Sequence, residues 1–368
     1  MASTYTRGLN PVQSPASARH LGVSQDEART KRSKRKKGSC DREKPGARSV
    51  SSQSSAEGQR SDKTAPSLSQ DISHSLRDPS SKRGRCSLHS DVTPSGNSIT
   101  DFDAKYEELE LLGEGGFGSV YAGFRILDEL PVAIKHIPQE LVKRKLLMIN
   151  GDVHDVPVEV VLILKATGGP ESAGSSAAMY LLDWYDLDQE LILVLERPVP
   201  CVDLRQYLKE KGGSLQEHEA KIMMQQLVEA AIELHSKQVF HRDIKLENII
   251  VETGPDVPRA RVADFSCGCF ARKGHYHLFS GTPKCAPPEW YMHARYKARP
   301  TTVWQLGVVL YGMLDGHPSF DTLRFLRNKL PINSELSQNC QELLQMCLSK
   351  VPKQRPTLEQ LQHHPWLQ

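Results

Sequence analysis

The stretch Phe240-His241-Arg242-Asp243-Ile244-Lys245-Leu246-Glu247-Asn248-Ile249-Ile250-Val251 constrains this chain more than any other. His241, Arg242, Asp243, Lys245 and Asn248 are set between two apolar segments, Val239-Phe240 and Ile249-Ile250-Val251. Polar groups this close to a core are costly unless each finds a partner. A fold that accepts this sequence must bring other segments in to meet them.

Upstream, Tyr106 to Leu112 reads as a strand, followed by Gly113-Glu114-Gly115-Gly116-Phe117-Gly118-Ser119-Val120. Glycines let a backbone approach phosphate oxygens with its amides donating. Dinucleotide-binding folds share the pattern, but there a helix follows the glycines. Here Ser119 to Phe124 alternates as a strand does, which predicts a glycine-rich hairpin over a nucleotide. Pro131-Val132-Ala133-Ile134-Lys135 reads as a third strand ending in a lysine. Residues 156–164 read as a helix whose Glu159, surrounded by apolar residues, requires a cation; Glu140 is the second candidate for that pairing. After a loop over 166–178, Met179–Tyr185 and Glu190–Leu195 read as strands that complete a five-stranded small lobe. Asp203 is placed to cap a helix. Glu217–Ser236 predicts a long helix with a core stripe through Ala220, Met223, Met224, Leu227, Ala230, Ala231 and Leu234.

The 241–248 spacing matches the H-R-D-x-K-x-x-N loop of protein kinases, and the glycine run and Val-Ala-Ile-Lys135 match two more of that family's motifs. The chain resembles the Pim serine/threonine kinases in Leu111–Tyr121, Leu130–His136, Val156–Val161, Leu181–Trp184 and Glu196-Arg197-Pro198. Pro198 stands where most kinases donate a hinge N–H to adenine, and proline has none. The resemblance spans about residues 106–368. It implies an α+β, two-lobed protein kinase fold: a five-stranded antiparallel amino-terminal lobe with one main helix (106–195), a hinge (196–200) and a mostly helical carboxy-terminal lobe (201–368). It also implies transfer of the γ-phosphoryl of Mg-ATP to Ser or Thr of protein substrates. Asp243 would then be the base and Lys245 the group steadying the phosphoryl, with Asn248 and Asp264 as Mg2+ ligands. ATP would be held by Leu112, Gly113, Glu114, Gly115, Gly116, Phe117, Gly118, Ser119, Val120, Ala133, Lys135, Glu159, the carbonyl of Glu196, and Asp203. For Asp203 a plain helix cap is an equal reading. Glu289 is expected to pair with Arg355, and the adjacent His363 and His364 to mark a helix end rather than a metal site.

The chain departs from the family in its activation segment. Asp264-Phe265-Ser266 replaces Asp-Phe-Gly, and a Cβ makes positive φ costlier, so a restricted flip with metal binding retained is expected. Lys273 stands where the family has an aspartate facing the loop arginine, here Arg242; a phosphate on Ser280 or Thr282 is the expected substitute. Where the family keeps acids for basic substrate residues, this chain has Gln206, Leu246, Leu278 and Ser280, while Asp203 and Glu247 remain. The expected arginine preference upstream of the target is correspondingly weaker. These departures also motivate a second reading, an ATP-binding pseudokinase scaffold.

Charge divides the chain. Residues 1–100 hold 18 Lys and Arg against 9 Asp and Glu, and the remainder holds 29 against 35. A basic, Ser-rich, disordered tail over 1–103 is therefore expected ahead of a kinase domain over 104–368. Lys31–Lys37 reads as a nuclear import signal, an anionic-surface binder or mere solvated charge. Binding of nucleic acid through it is a third functional reading, with little support elsewhere in the chain. The eight cysteines include no CxxC pair, so free thiols in a reducing compartment are expected. Neither an apolar run of about 18 residues nor an apolar leader occurs. A monomer off the membrane is expected, in the cytoplasm, and in the nucleus if the basic run directs import.

Overall fold

The computed structural model describes residues 92–149, 151–169, 174–316 and 320–368. The tail expectation for 1–91 lies outside them. Residues 92–103 depart from it: Ser98 caps helix α1 (Ile99–Asp103), and Phe102 is buried against Tyr106 and Tyr185. Ser95 donates to Asp183 at 2.6 Å. The ordered chain thus begins at least twelve residues before position 104. Phe102, with ring partners in Tyr106, His136 and Tyr185, and the Ser95–Asp183 bond hold this short segment down.

The small lobe is an antiparallel sheet of β1 (Tyr106–Gly115), β2 (Gly118–Arg125), β3 (Leu130–Pro138), β6 (Leu181–Asp186) and β7 (Glu190–Glu196), in the order β1-β2-β3-β7-β6. The fold class is as expected. Gly116-Phe117 turns β1 into β2, with Gly115 opposite Gly118. Gly118 has φ +123°, and a Cβ there would fall 1.9 Å from the His136 carbonyl oxygen, so no other residue fits. His136 lies between Glu108 at 2.7 Å and Glu190 at 3.0 Å, tying β3 to β1 and β7.

A separate hairpin, β4 (Arg144–Ile149) and β5 (Asp152–Pro157), precedes the lobe's main helix, α2 (Val158–Thr167). The helix starts two residues later than its apolar run because Val156-Pro157 finishes β5. Arg144 joins the hairpin to the sheet through Asp186 at 2.6 Å. Residues Val160 to Leu164 are all buried.

In the large lobe, β8 (Cys201–Asp203) leads into α3 (Leu204–Glu210), and α4 (Glu217–Ser236) follows. The short pair β9 (Val239–Phe240) with β12 (Cys269–Phe270) and the hairpin β10 (Ile249–Glu252) with β11 (Arg259–Val262) frame the polar loop. Then come α5 (Pro288–His293), α6 (Ala298–Asp315), α7 (Thr322–Leu326), α8 (Gln338–Cys347) and α9 (Leu358–Gln362). Helix α6 is buried on every side from Thr301 to Leu314, as a central helix must be to carry so few charges.

Helix α4 meets α6 through a buried polar contact, His235 Nε2 to Thr302 Oγ1 at 2.8 Å. Burial, then the charge of Arg299, pushes the His235 pKa down to about 4. An unfolded histidine titrates near 6.5, so between these values the unfolded chain binds the extra proton and stability falls as pH falls. The expected loss from His235 is about 2 kcal/mol between pH 7 and pH 5. Burial of His241 adds to it in the same direction. Urea midpoints at the two pH values should differ accordingly, and His235→Gln should shrink the difference; an unchanged difference would assign it elsewhere.

Candidate active site

The sheet register brings one set of side chains to one face. Val120 lies opposite Lys135, Ala122 opposite Ala133, and Ala133 opposite Leu195. Partners in register share a face, as do residues two apart. Val120, Ala133, Lys135 and Leu195 therefore share a surface beside the glycine hairpin. At Gly113, Gly115 and Gly116 a Cβ would meet no protein atom within 4 Å. Packing within the protein does not call for glycine there, whereas a group docked against the hairpin would.

Lys135 is 5% exposed, and its Nζ donates to Glu159 Oε1 at 2.7 Å and Asp264 Oδ1 at 2.8 Å. Glu140 instead occupies a 3-10 turn, Gln139–Leu141. Burial pushes the Lys135 pKa down, but Glu159 and then Asp264 outweigh it, and the pKa rises. Burial likewise pushes the Asp264 carboxyl up. The charge of Lys135 prevails and holds it well below the carboxylate range. The ammonium of Lys135, on β3, thus ties α2 to the segment after β11, whose Asp264 lies 129 residues beyond the lysine in sequence.

The polar loop is satisfied as its sequence demanded. Asp243 Oδ1 accepts from the Thr282 amide at 2.6 Å, and Lys245 Nζ lies 3.0 Å from Asp243 Oδ2. Asn248 Nδ2 donates to the Asp243 carbonyl at 2.8 Å and to Oδ2 at 3.3 Å. His241 Nδ1 accepts from the Asp243 amide at 3.3 Å, which leaves the proton on Nε2, 3.0 Å from the Ala263 carbonyl. Burial lowers the His241 pKa, consistent with this neutral ring. Gly281 has φ +125°, and a Cβ there would sit 2.5 Å from the Arg242 carbonyl oxygen. Only glycine lets the activation segment come this close to the loop.

The activation segment differs from expectation in the backbone of Ser266 and in the surroundings of Thr282. Positive φ falls on Asp264 (63°), while Ser266 is not among the positive-φ residues, so its Cβ adds no backbone strain. Ser266 instead accepts from Lys143 through its carbonyl at 3.1 Å. Arg242 meets no acid: its guanidinium donates to the carbonyls of Cys267 at 2.5 Å and Gly268 at 3.0 Å. The Ser280 hydroxyl donates to the same Cys267 carbonyl at 3.3 Å, which leaves Ser280, of the two residues expected to carry a phosphate, the one beside the guanidinium. The Thr282 hydroxyl faces Lys245 and Asp243, so a phosphate there would oppose the Asp243 carboxylate.

Asp203 caps α3 by accepting from the Gln206 amide at 2.9 Å. Glu196 turns its carboxylate inward to the Tyr180 amide at 2.6 Å and to Arg261. Arg261 is 1% exposed and also donates to the carbonyls of Ser176 and Ala178 and to Glu252. This buried cation supports the 196–200 connection, and nothing in the alternation of β11 marks it out from a surface arginine. Gln305 was equally unforeseen; it donates to the Arg242 carbonyl at 2.5 Å.

A glycine hairpin, a lysine tied to a helix glutamate, and a carboxylate–lysine–asparagine loop under a two-lobed frame define a protein kinase. The chain belongs to the protein kinase domain family, which it matches over residues 106–367. More particularly, it is similar to serine/threonine-protein kinase pim-2 of Danio rerio, with 39% identity over 75% of this chain and 89% of that protein. It is also similar to serine/threonine-protein kinase prk-2 of Caenorhabditis elegans, with 33% identity over 74% of this chain and 60% of the relative. Sperm motility kinase 3A of Mus musculus is 31% identical over 74% of this chain and 52% of its own length. A protein kinase domain uses ATP and a divalent metal to modify protein substrates.

Proposed function

We infer that this chain transfers the γ-phosphoryl of ATP to serine or threonine hydroxyls, acting as a monomer. The observation that carries the reading is the convergence of Asp243, Lys245, Asn248 and Thr282 below the Lys135–Asp264 pair. Asp243, oriented by the Thr282 amide and Asn248, accepts the proton of the substrate hydroxyl. Lys245, raised in pKa because Asp243 outweighs its burial, keeps its charge beside the oxygens being transferred. Lys135 holds the nucleotide phosphates, and the amides of the Gly113–Val120 hairpin cover them.

Asp264 and Asn248 would hold the metal. Their hard oxygen donors suit Mg2+, which takes its remaining ligands from phosphate and water. A bound metal neutralises charge developing on the phosphoryl oxygens. Every charged group of the set is in place, which disfavours the scaffold reading. The free thiols among the described residues support a cytoplasmic setting; entry to the nucleus would rest on Lys31–Lys37. Radiolabelled ATP with Mg2+ and a mixed Ser/Thr/Tyr peptide pool should give phosphoserine and phosphothreonine. Label on tyrosine alone, or on nothing, would overturn the reading.

A further inference from the structure

Lys143 lies between the Gln139–Leu141 turn and β4, outside every motif matched above. It nonetheless reaches three separate elements. The Val158 amide donates to its carbonyl at 2.7 Å, which satisfies one of the free N–H groups that open α2. Its Nζ donates to the Ser266 carbonyl at 3.1 Å, two residues past Asp264. The same ammonium stands over the Phe117 ring, 5.7 Å from the centroid. Phe117, Lys143, Glu159, Phe265 and Ser266 line one cavity beside these contacts.

A second lysine supports the placement. Lys145 is two residues further along extended chain and so faces the same side. Its Nζ sits 4.2 Å from the Phe270 ring centroid. The 143–145 stretch therefore runs along the start of the activation segment, with one cation at Ser266 and another at Phe270.

Phe117 is at the tip of the hairpin assigned to cover the phosphates. A Cβ at Gly113, Gly115 or Gly116 would meet no protein atom within 4 Å, so this hairpin is thinly packed. A segment with so few contacts opens readily unless something outside holds it. Ser266 belongs to the segment that carries Asp264, and its amide donates to Asp264 Oδ1 at 3.3 Å. One ammonium thus joins the cover over the nucleotide to the segment that would carry its metal.

Resting on the kinase reading above, we propose that Lys143 is a positioning residue. It pins Phe117 and Ser266 to one point, which holds the glycine hairpin down and Asp264 in place. It acts through those two groups and not on the phosphates. Its exposed side chain makes it dispensable to the core.

The test uses the full chain, Mg2+ and a fluorescent ADP analogue. Lys143→Met keeps the apolar stem and removes the charge. Release of the analogue in stopped flow should speed about three- to tenfold, and KM for ATP should rise by a similar factor. KM for a serine peptide and the urea midpoint should stay as in the native chain. Lys143→Arg should restore slow release, because a guanidinium also donates to a carbonyl and stacks on a ring. In a Phe117→Leu background, Lys143→Met should cost less than it does in the native chain. Unchanged release in Lys143→Met would overturn the proposal and leave the kinase reading standing. Full additivity with Phe117→Leu would overturn it too, by placing the ammonium on the phosphates themselves. A lowered urea midpoint, with release not restored by Lys143→Arg, would make the lysine structural only. Nucleotide release that depends on Lys143, in a chain that transfers no phosphoryl group, would remove the kinase reading alone.

Discussion

Asp243→Asn should lower kcat by about 10²–10⁴-fold while leaving KM for ATP within about threefold. The carboxylate borders Lys245 and Asn248 but not the groups assigned to grip the nucleotide. Its neighbours are the Thr282 amide, Asn248 and Lys245, whereas the Lys135–Asp264 pair and the glycine hairpin are built by other segments. Asparagine keeps one oxygen for Thr282 but turns an NH2 toward Lys245 and Asn248, both already donors. That mismatch should cost on the order of 1–2 kcal/mol of stability, not the fold. Initial rates across ATP concentrations, beside nucleotide binding by calorimetry, separate the two effects. A variant within tenfold of the native rate would mean that another group removes the hydroxyl proton.

What could be read from the sequence was what local pattern controls. Strand alternation placed the small-lobe sheet, and an apolar helix around one acid singled out Glu159. The five polar residues of 241–248 demanded partners, and each has one in the structure. Elements fixed by long-range packing were harder to see. Arg261 is a core cation only because Glu196 and Glu252 arrive from other strands. The hairpin Arg144–Ile149 with Asp152–Pro157 passed unassigned, although Asn150-Gly151 is the dipeptide that favours such turns. Its apolar residues hid the signal: Leu146, Met148 and Val153 are exposed, so their pattern does not report a core face. Ser266 misled because a motif position was read as a backbone conformation, while the chain puts its positive φ two residues earlier. Residues 92–103 were assigned to the tail by composition, which cannot register a single anchoring phenylalanine.

Arg355→Leu should destabilise the domain by about 3–5 kcal/mol, the usual consequence of stranding one partner of a buried ion pair. The Glu289–Arg355 pair is bidentate, at 3.0 and 2.6 Å, with side chains 6% and 0% exposed. Arg355 also donates to the carbonyls of Ser349 and Pro300 and lies 5.0 Å from the Trp304 ring centroid. Leucine removes all of these and leaves the Glu289 carboxylate in a site with no cation. Typical domains are stable by only 5–15 kcal/mol, so the loss should appear as a large drop in the urea midpoint. Glu289→Gln should cost less, because the amide oxygen still accepts one guanidinium bond and the Arg355 charge left behind keeps the carbonyls of Ser349 and Pro300. Adding Glu289→Gln to Arg355→Leu should then recover part of the loss, since the stranded charge is gone while the Ser349 and Pro300 bonds remain broken. Strictly additive losses in the double variant would show that the two side chains do not act as a pair. Glu289 opens α5, directly after the segment that carries Thr282 to Asp243, so loosening this anchor should also raise KM for protein substrate before it lowers ATP affinity.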